Sequence, residues 1–245
     1  MLRLALCAAC LITMAWAANA ESPTGWRDCL SRDPDRAIEA CSEFIEAGAR
    51  SGVDLSVAFY NRGKAYFEED DFSRAIADYD QTIKRNPKHA MAYFYRGNAN
   101  SEAGKFDRAI ADYDKAIELS PKFPAAYLMR GKAYRGKRDS NRALKEFELA
   151  IEINPRYAAA YLNRGISYGE QDKLEQAIGE FDRAIKLNKK QADAFYNRGV
   201  TYQRMGEPKK AKADFKRALK LDADYESAKE GLEKLKAAEA DKKKD

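Results

Sequence analysis

The stretch Ala58-Phe-Tyr-Asn-Arg-Gly63-Lys-Ala-Tyr66 decides the fold, because it returns four more times in edited form. The copies open Ala92-Tyr-Phe-Tyr-Arg-Gly97, Ala126-Tyr-Leu-Met-Arg-Gly131, Ala160-Tyr-Leu-Asn-Arg-Gly165 and Ala194-Phe-Tyr-Asn-Arg-Gly199, so the glycine recurs every 34 residues without slippage. A second phrase follows each copy at fixed offset: Arg74-Ala-Ile-Ala-Asp-Tyr79, Arg108-Ala-Ile-Ala-Asp-Tyr113, Arg142-Ala-Leu-Lys-Glu-Phe147, Gln176-Ala-Ile-Gly-Glu-Phe181 and Lys210-Ala-Lys-Ala-Asp-Phe215. A fixed period of this size marks an array of small stacked units rather than one domain around one core.

Each unit reads as two helices. Phe59, Gly63 and Tyr66 fall at i, i+4 and i+7, one stripe of a first helix, and Ala75, Tyr79 and Thr82 make a stripe on a second. The predicted repeats are 56–89, 90–123, 124–157, 158–191 and 192–225. A turn is expected at Asp70, Gly104, Arg138, Asp172 and Gly206, where a left-handed backbone suits glycine, is tolerable for Asp and costs more for Arg. Pro87, Pro121 and Pro155 close the first three repeats. The small residues predict close approach: Gly63 and its equivalents from one side, Ala75 and its equivalents from the other, with large rings filling the flanks. An acid stands 16 positions after each Arg of the Arg-Gly pair, and the spacing predicts a ladder of Arg–carboxylate contacts. The alternative for that row of Arg is an anion-binding surface.

The array has unlike ends. Residues 21–55 read as a degenerate first helical unit, with Asp33-Pro34 starting its second helix and Gly48 stopping it. Residues 226–245 read as a capping helix followed by a charged tail. Residues 1–20 read as a signal peptide: Arg3, an apolar Leu4–Ala18 run too short to span a bilayer, and Ala18-Asn19-Ala20 as a cleavage-like end. The expected location is therefore exported, periplasmic or secreted, with no membrane span left after cleavage. Cys7 and Cys10 leave with that segment, and the remaining even pair, Cys29 and Cys41, is expected to form a disulfide.

Composition excludes more than it proposes. The chain carries 44 basic and 39 acidic residues, interspersed, with 34% charged residues overall. No clustered basic face argues for nucleic acid. The single histidine, His89, sits at a repeat boundary, so no His/Cys metal set can be assembled, and no cofactor is expected. The glycines are isolated and cannot cradle a phosphate. Acids recurring at the repeat spacing are structural before they are catalytic, and no enzyme activity is expected.

The repeated phrases resemble those of the tetratricopeptide repeat (TPR) family. In the third repeat the matching residues are Tyr127, Gly131, Tyr134, Ala143, Phe147, Ala150 and Pro155. Departures are Asn100 in place of Tyr, Thr82 in place of Ala, and Arg where the family often has Leu, at Arg62, Arg96, Arg130, Arg164 and Arg198. The resemblance implies an all-α fold, a right-handed superhelix of antiparallel helix pairs with a C-terminal capping helix. It implies a concave groove lined by the first helices, and protein or peptide binding rather than catalysis. On that reading the groove residues are Tyr60, Asn61 and Lys64; Phe94, Tyr95 and Asn98; Leu128, Met129 and Lys132; Leu162 and Asn163; and Tyr196 and Asn197. Tyr60 and Phe94 are equally readable as packing between neighbouring first helices. A different reading of the whole chain is a structural element of the cell envelope that assembles through its ends or outer faces.

Overall fold

The computed structural model of the chain describes residues 25–48 and 54–241. The expected signal segment and the Lys-rich end of the tail lie outside these residues. Among them the fold is all-α, thirteen helices and no strand. The chain divides into two units at Pro87/Lys88.

The first unit holds α1 (Trp26–Cys29), α2 (Pro34–Ala47), α3 (Leu55–Glu68) and α4 (Phe72–Arg85). Asp33 starts α2 by accepting from the Arg36 backbone N–H at 3.2 Å, and Pro34 needs no donor at the first helical position. Gly48 ends α2 with a φ of 60°. Cys29 and Cys41 are bonded, 2.04 Å between sulfurs, and tie α1 to α2. Both are fully buried, among Ala40, Phe44 and Ala58, and the Trp26 ring meets Phe44 edge-on at 5.3 Å.

The second unit holds α5 (Ala90–Glu102), α6 (Phe106–Leu119), α7 (Pro124–Gly136), α8 (Ser140–Ile153), α9 (Ala158–Glu170), α10 (Leu174–Leu187), α11 (Ala192–Arg204), α12 (Pro208–Leu221) and α13 (Glu226–Asp241). Within it each first helix packs on its own second helix, and each second helix packs on the next first helix. His89 serves as the N-cap of α5, its Nδ1 accepting from the Ala92 N–H at 3.1 Å.

Close approach governs both units. A Cβ added at Gly63, Gly97, Gly131, Gly165 or Gly199 would come within 2.5–2.9 Å of the ring of Tyr79, Tyr113, Phe147, Phe181 or Phe215. Those rings are at most 2% exposed. Burying one contributes about 2–3 kcal/mol, and a wider first residue would push the helices apart. The same device closes the chain: a Cβ at Gly231 of α13 would lie 2.8 Å from Phe215. All five intra-repeat turns take the left-handed backbone. Gly104 and Gly206 adopt it freely, whereas Asp70, Arg138 and Asp172 hold φ of 57°, 61° and 60°.

The two departures from the repeat pattern have local reasons. Asn100 is buried and donates to Asp112 Oδ2 at 3.0 Å, adding a second donor to an oxygen that Arg96 Nε also reaches at 3.1 Å. Thr82 is buried with its hydroxyl donating to the Asp78 carbonyl at 3.0 Å.

Candidate interaction groove

In the second unit the first helices touch one another, α5 with α7, α7 with α9 and α9 with α11, while no second helix packs comparably on another second helix. A stack closer on one layer than on the other curves toward the closer layer. The inner surface of this unit is therefore carried by α5, α7, α9 and α11.

The repeated Arg does not line that surface as an open anion row. Each guanidinium is held by a carboxylate of its own repeat: Arg62 by Asp78 at 2.8 Å, Arg96 by Asp112 at 2.5 Å, Arg130 by Glu146 at 2.7 Å, Arg164 by Glu180 at 2.9 Å and Arg198 by Asp214 at 2.7 Å. Each also stacks on the ring three residues earlier, 5.3–5.7 Å from its centroid. Arg130 and Arg198 reach back to Asp114 and Asp182 of the preceding repeat, each at 2.5 Å, and so join repeats. Arg62 instead donates to the Ser42 hydroxyl of α2 at 3.0 Å. The Asp78 hydrogen bond holds Arg62 above its ordinary value, and Asp214 does the same for Arg198. Burial pushes Glu146 and Glu180 up, against the pull of Arg130 and Arg164. In the sequence an acid stands at this position as Asp80, Asp114, Glu148 and Asp182 and gives way to Lys216, and α13 has Leu232 where an Arg would stand.

The expected groove residues separate into two sets. Phe94, Leu128 and Leu162 are buried core residues rather than an exposed wall. Tyr196, half-buried, packs on Phe215 and Tyr225 at 5.8 and 5.1 Å, and Tyr60 on Tyr79 at 6.2 Å. This position points between helices, and an apolar side chain there is drawn into the seam. Asn98 is also buried and accepts from the Tyr113 hydroxyl at 2.9 Å. These are corrections to the groove as read from the sequence.

The second set is half-buried: Tyr95, Met129 and Lys132, with Asn163 and Asn197, and of these Tyr95 and Met129 also pack against the core cluster around Phe94 and Tyr113. The amide nitrogens of Asn163 and Asn197 donate to the carbonyls four residues earlier, Ala159 and Asp193, each at 2.8 Å. Asn61 does the same toward Val57 at 2.9 Å. In the first unit Asn61, Lys64 and Glu68 of α3 face the Leu30–Pro34 turn across a cleft of about 200 Å³.

Two residues gain roles that their spacing did not announce. Arg204 crosses from α11 to donate to the Gly169 carbonyl at 2.7 Å and to Asp172 at 2.9 Å. Arg135 sits on α7 with its side chain 21% exposed and its Nε 3.9 Å from Glu170 Oε1, beyond hydrogen-bond reach. Its Nη1 is enclosed without a hydrogen-bond partner, and burial holds its pKa below the ordinary Arg value. Among the described residues no cluster could hold a metal ion, and no helix is long and apolar enough to cross a membrane.

Comparison with known proteins agrees with this geometry. Family models described as Tetratricopeptide repeat match residues 60–124, 124–157, 146–179 and 192–225, and one described as TPR repeat matches 167–206. Among solved structures the chain is similar to MamA, at 25% identity and a TM-score of 0.58 over 66% of this chain and 94% of that one. It is similar to YrrB, described as a TPR protein with an unusual peptide-binding site, at 23% identity and a TM-score of 0.57 over 80% and 99%. A tetratricopeptide repeat protein from Parabacteroides merdae superposes with a TM-score of 0.67 at 22% identity, over 86% and 80%. No curated protein sequence matches.

Proposed function

Because the chain belongs to the tetratricopeptide repeat family, we propose that it is an exported, non-catalytic scaffold that holds a protein or peptide segment against its first helices. The observation that carries this reading is the division of the inner surface. The core positions are filled and the Arg row is satisfied by carboxylates, yet Tyr95, Met129, Lys132, Asn163 and Asn197 are only half-buried on consecutive inner helices, Tyr95 and Met129 resting one side on the core. An aromatic, a pliant thioether, a cation and amide oxygens in one strip suit an extended or helical segment that needs apolar anchors and hydrogen bonds. Export is supported by the signal-like residues 1–20 and by a buried cysteine pair that an oxidising compartment maintains.

The test is to purify the chain without its first twenty residues, identify what co-purifies, and measure its binding by calorimetry. Tyr95→Ala lowers affinity by at least about 1 kcal/mol. Lys115→Glu, on α6 where Lys115 pairs with Glu118, leaves affinity nearly unchanged. The opposite pattern, loss with Lys115→Glu and none with Tyr95→Ala, moves the contact to the outer helices and favours the structural envelope element instead.

A further inference from the structure

Charge is mixed over the chain as a whole, but one helix departs from that balance. Every second helix of a repeat shows solvent the same four positions, spaced i, i+4, i+7 and i+11 and exposed in each repeat. On α4 they hold Ser73, Ala77, Asp80 and Lys84, and on α6 Asp107, Ala111, Asp114 and Glu118. On α8 they hold Asn141, Lys145, Glu148 and Glu152, and on α10 Glu175, Gly179, Asp182 and Lys186. Each of these stripes carries acid. On α12 the stripe is Lys209, Ala213, Lys216 and Lys220, with no acid in it.

The counterparts are largely neutralised, and the α12 stripe is not. Asp107 is met by Lys137, Asp114 by Arg130, Glu118 by Lys115 and Asp182 by Arg198. Lys209, Lys216 and Lys220 have no ion-pair partner among the described residues. Acids close to them in sequence are already engaged: Glu207 by Lys210, Asp214 by Arg198, Glu226 by Lys229 and Glu230 by Lys234. Two helix preferences are set aside as well. Lys209 and Lys210 stand in the first turn, at the positive end of the helix dipole, where α6 and α10 place Asp107 and Glu175. Lys212, Lys216 and Lys220 follow at i, i+4 and i+8, where like charges repel. An anion in front of the stripe relieves both.

The kind of anion follows from what the stripe does not contain. Its three ammoniums lie along about 16 Å of helix, with only Ala213 among them. A packed protein interface needs apolar or aromatic anchors at its centre, and none stands here. Hydrated point charges on flexible stems suit phosphates spread over a surface. No described helix can cross a bilayer, so contact with one is peripheral.

We propose that Lys209, Lys216 and Lys220 of α12 form a docking surface for anionic lipid headgroups, which holds the chain on a bilayer while the first helices stay free for their partner. The choice of a bilayer over nucleic acid, whose phosphates offer the same chemistry, rests on the export reading above.

The test is co-sedimentation of the chain lacking its first twenty residues with vesicles of phosphatidylcholine alone and of phosphatidylcholine mixed with phosphatidylglycerol. Binding is expected only to the mixed vesicles, and to fall as salt rises. Joint substitution Lys209→Gln, Lys216→Gln and Lys220→Gln weakens it about 100-fold. All three side chains are exposed, so the Tm stays near that of the wild type. A control removes the same charge elsewhere: Lys105→Gln, Lys122→Gln and Lys145→Gln, also exposed, change binding by less than about threefold. A second control, Lys242→Gln, Lys243→Gln and Lys244→Gln, tests the tail. Equal binding to both vesicles, no binding to either, equal loss in the first control, or loss confined to the tail variant each overturns the proposal. So does tighter binding to a DNA duplex than to the mixed vesicles. Salt-sensitive self-association that the α12 variant abolishes, without vesicle binding, also overturns it and assigns the stripe to a second copy, whose α2 exposes Asp35, Glu39, Glu43 and Glu46. Export is read separately, from the N-terminus of the chain recovered from cells. Retention of the first twenty residues together with vesicle binding removes the export reading and leaves the docking surface.

Discussion

The two units of this chain solve the same packing problem with different means. In the second unit every repeat has a neighbour built to the same plan, and a ring such as Phe147 is sealed by Gly131 from its own repeat and by the helices around it. In the first unit α1 is four residues long and has no glycine–ring lock to α2. There a covalent bond between Cys29 and Cys41 does what interdigitation does elsewhere. Periodic packing spreads stabilisation over many equivalent seams, whereas a terminal unit with one short helix depends on one link.

The largest expected effect lies in the periodic part. Phe147→Ala removes a fully buried ring at the centre of the second unit and is expected to cost about 3–5 kcal/mol, read as a fall in the urea midpoint. If the cost were under about 1 kcal/mol, the ring would not be the seal described here. Next is the link itself. Cys41→Ser, or reduction under native conditions, is expected to destabilise the first unit by about 3 kcal/mol for a loop of this length, with hydrogen exchange accelerating in α1 and α2 but not in α8 or α10. Uniform acceleration would mean that the two units are one cooperative body. Gly131→Ala follows, at about 1–3 kcal/mol through overpacking against Phe147.

Arg138→Gly has the opposite sign. It relieves a positive φ and is expected to gain up to about 1 kcal/mol, less the entropy that glycine brings to the unfolded chain. A loss would show that the turn is not strained. The smallest effect is a pH dependence. The Arg142 backbone N–H, and then its side chain, hold Asp139 below the ordinary carboxylate value, and Arg74 acts likewise on Asp71. A depressed folded pKa contributes stability that is present above the unfolded value, near pH 4, and lost as pH falls through the depressed one. Burial raises Glu146 and Glu180, so their contribution runs the other way and is lost as pH rises through their elevated values. Asp139→Asn should therefore flatten the acid limb of a stability–pH curve below about pH 4. An unchanged limb assigns acid unfolding elsewhere.

Most of the helix architecture was legible in the sequence because the same information is written five times. A glycine facing a ring, an Arg facing an acid and a left-handed turn at Asp70, Gly104, Arg138, Asp172 and Gly206 all recur at one spacing. The groove was legible only in part, for the complementary reason. Helical periodicity gives the angle of a residue around its helix but not the depth of its neighbours. Phe94, Leu128 and Leu162 share an angle with a groove position and are drawn into the seam by the helices beside them. Asn98 reads as a hydrogen bonder for a partner until Tyr113 is seen to use it. Arg135 broke no pattern in the sequence, since its distinction is the carboxylate it lacks at close range, and such an absence is visible only in three dimensions.

The pair Lys216 and Leu232 gives the array a stop signal. At two interior junctions an acid of one repeat holds the Arg of the next, Asp114 with Arg130 and Asp182 with Arg198. The final repeat carries Lys216 at the position of the acid, and α13 carries Leu232 at the position of the Arg. A 34-residue module copied from the interior and spliced at an interior junction brings both complementary halves with it. Spliced after the fifth repeat, it would set its own Arg against Lys216. Growth of this protein by duplication, or its lengthening by design, is therefore permitted inside the array and discouraged at its C-terminal edge.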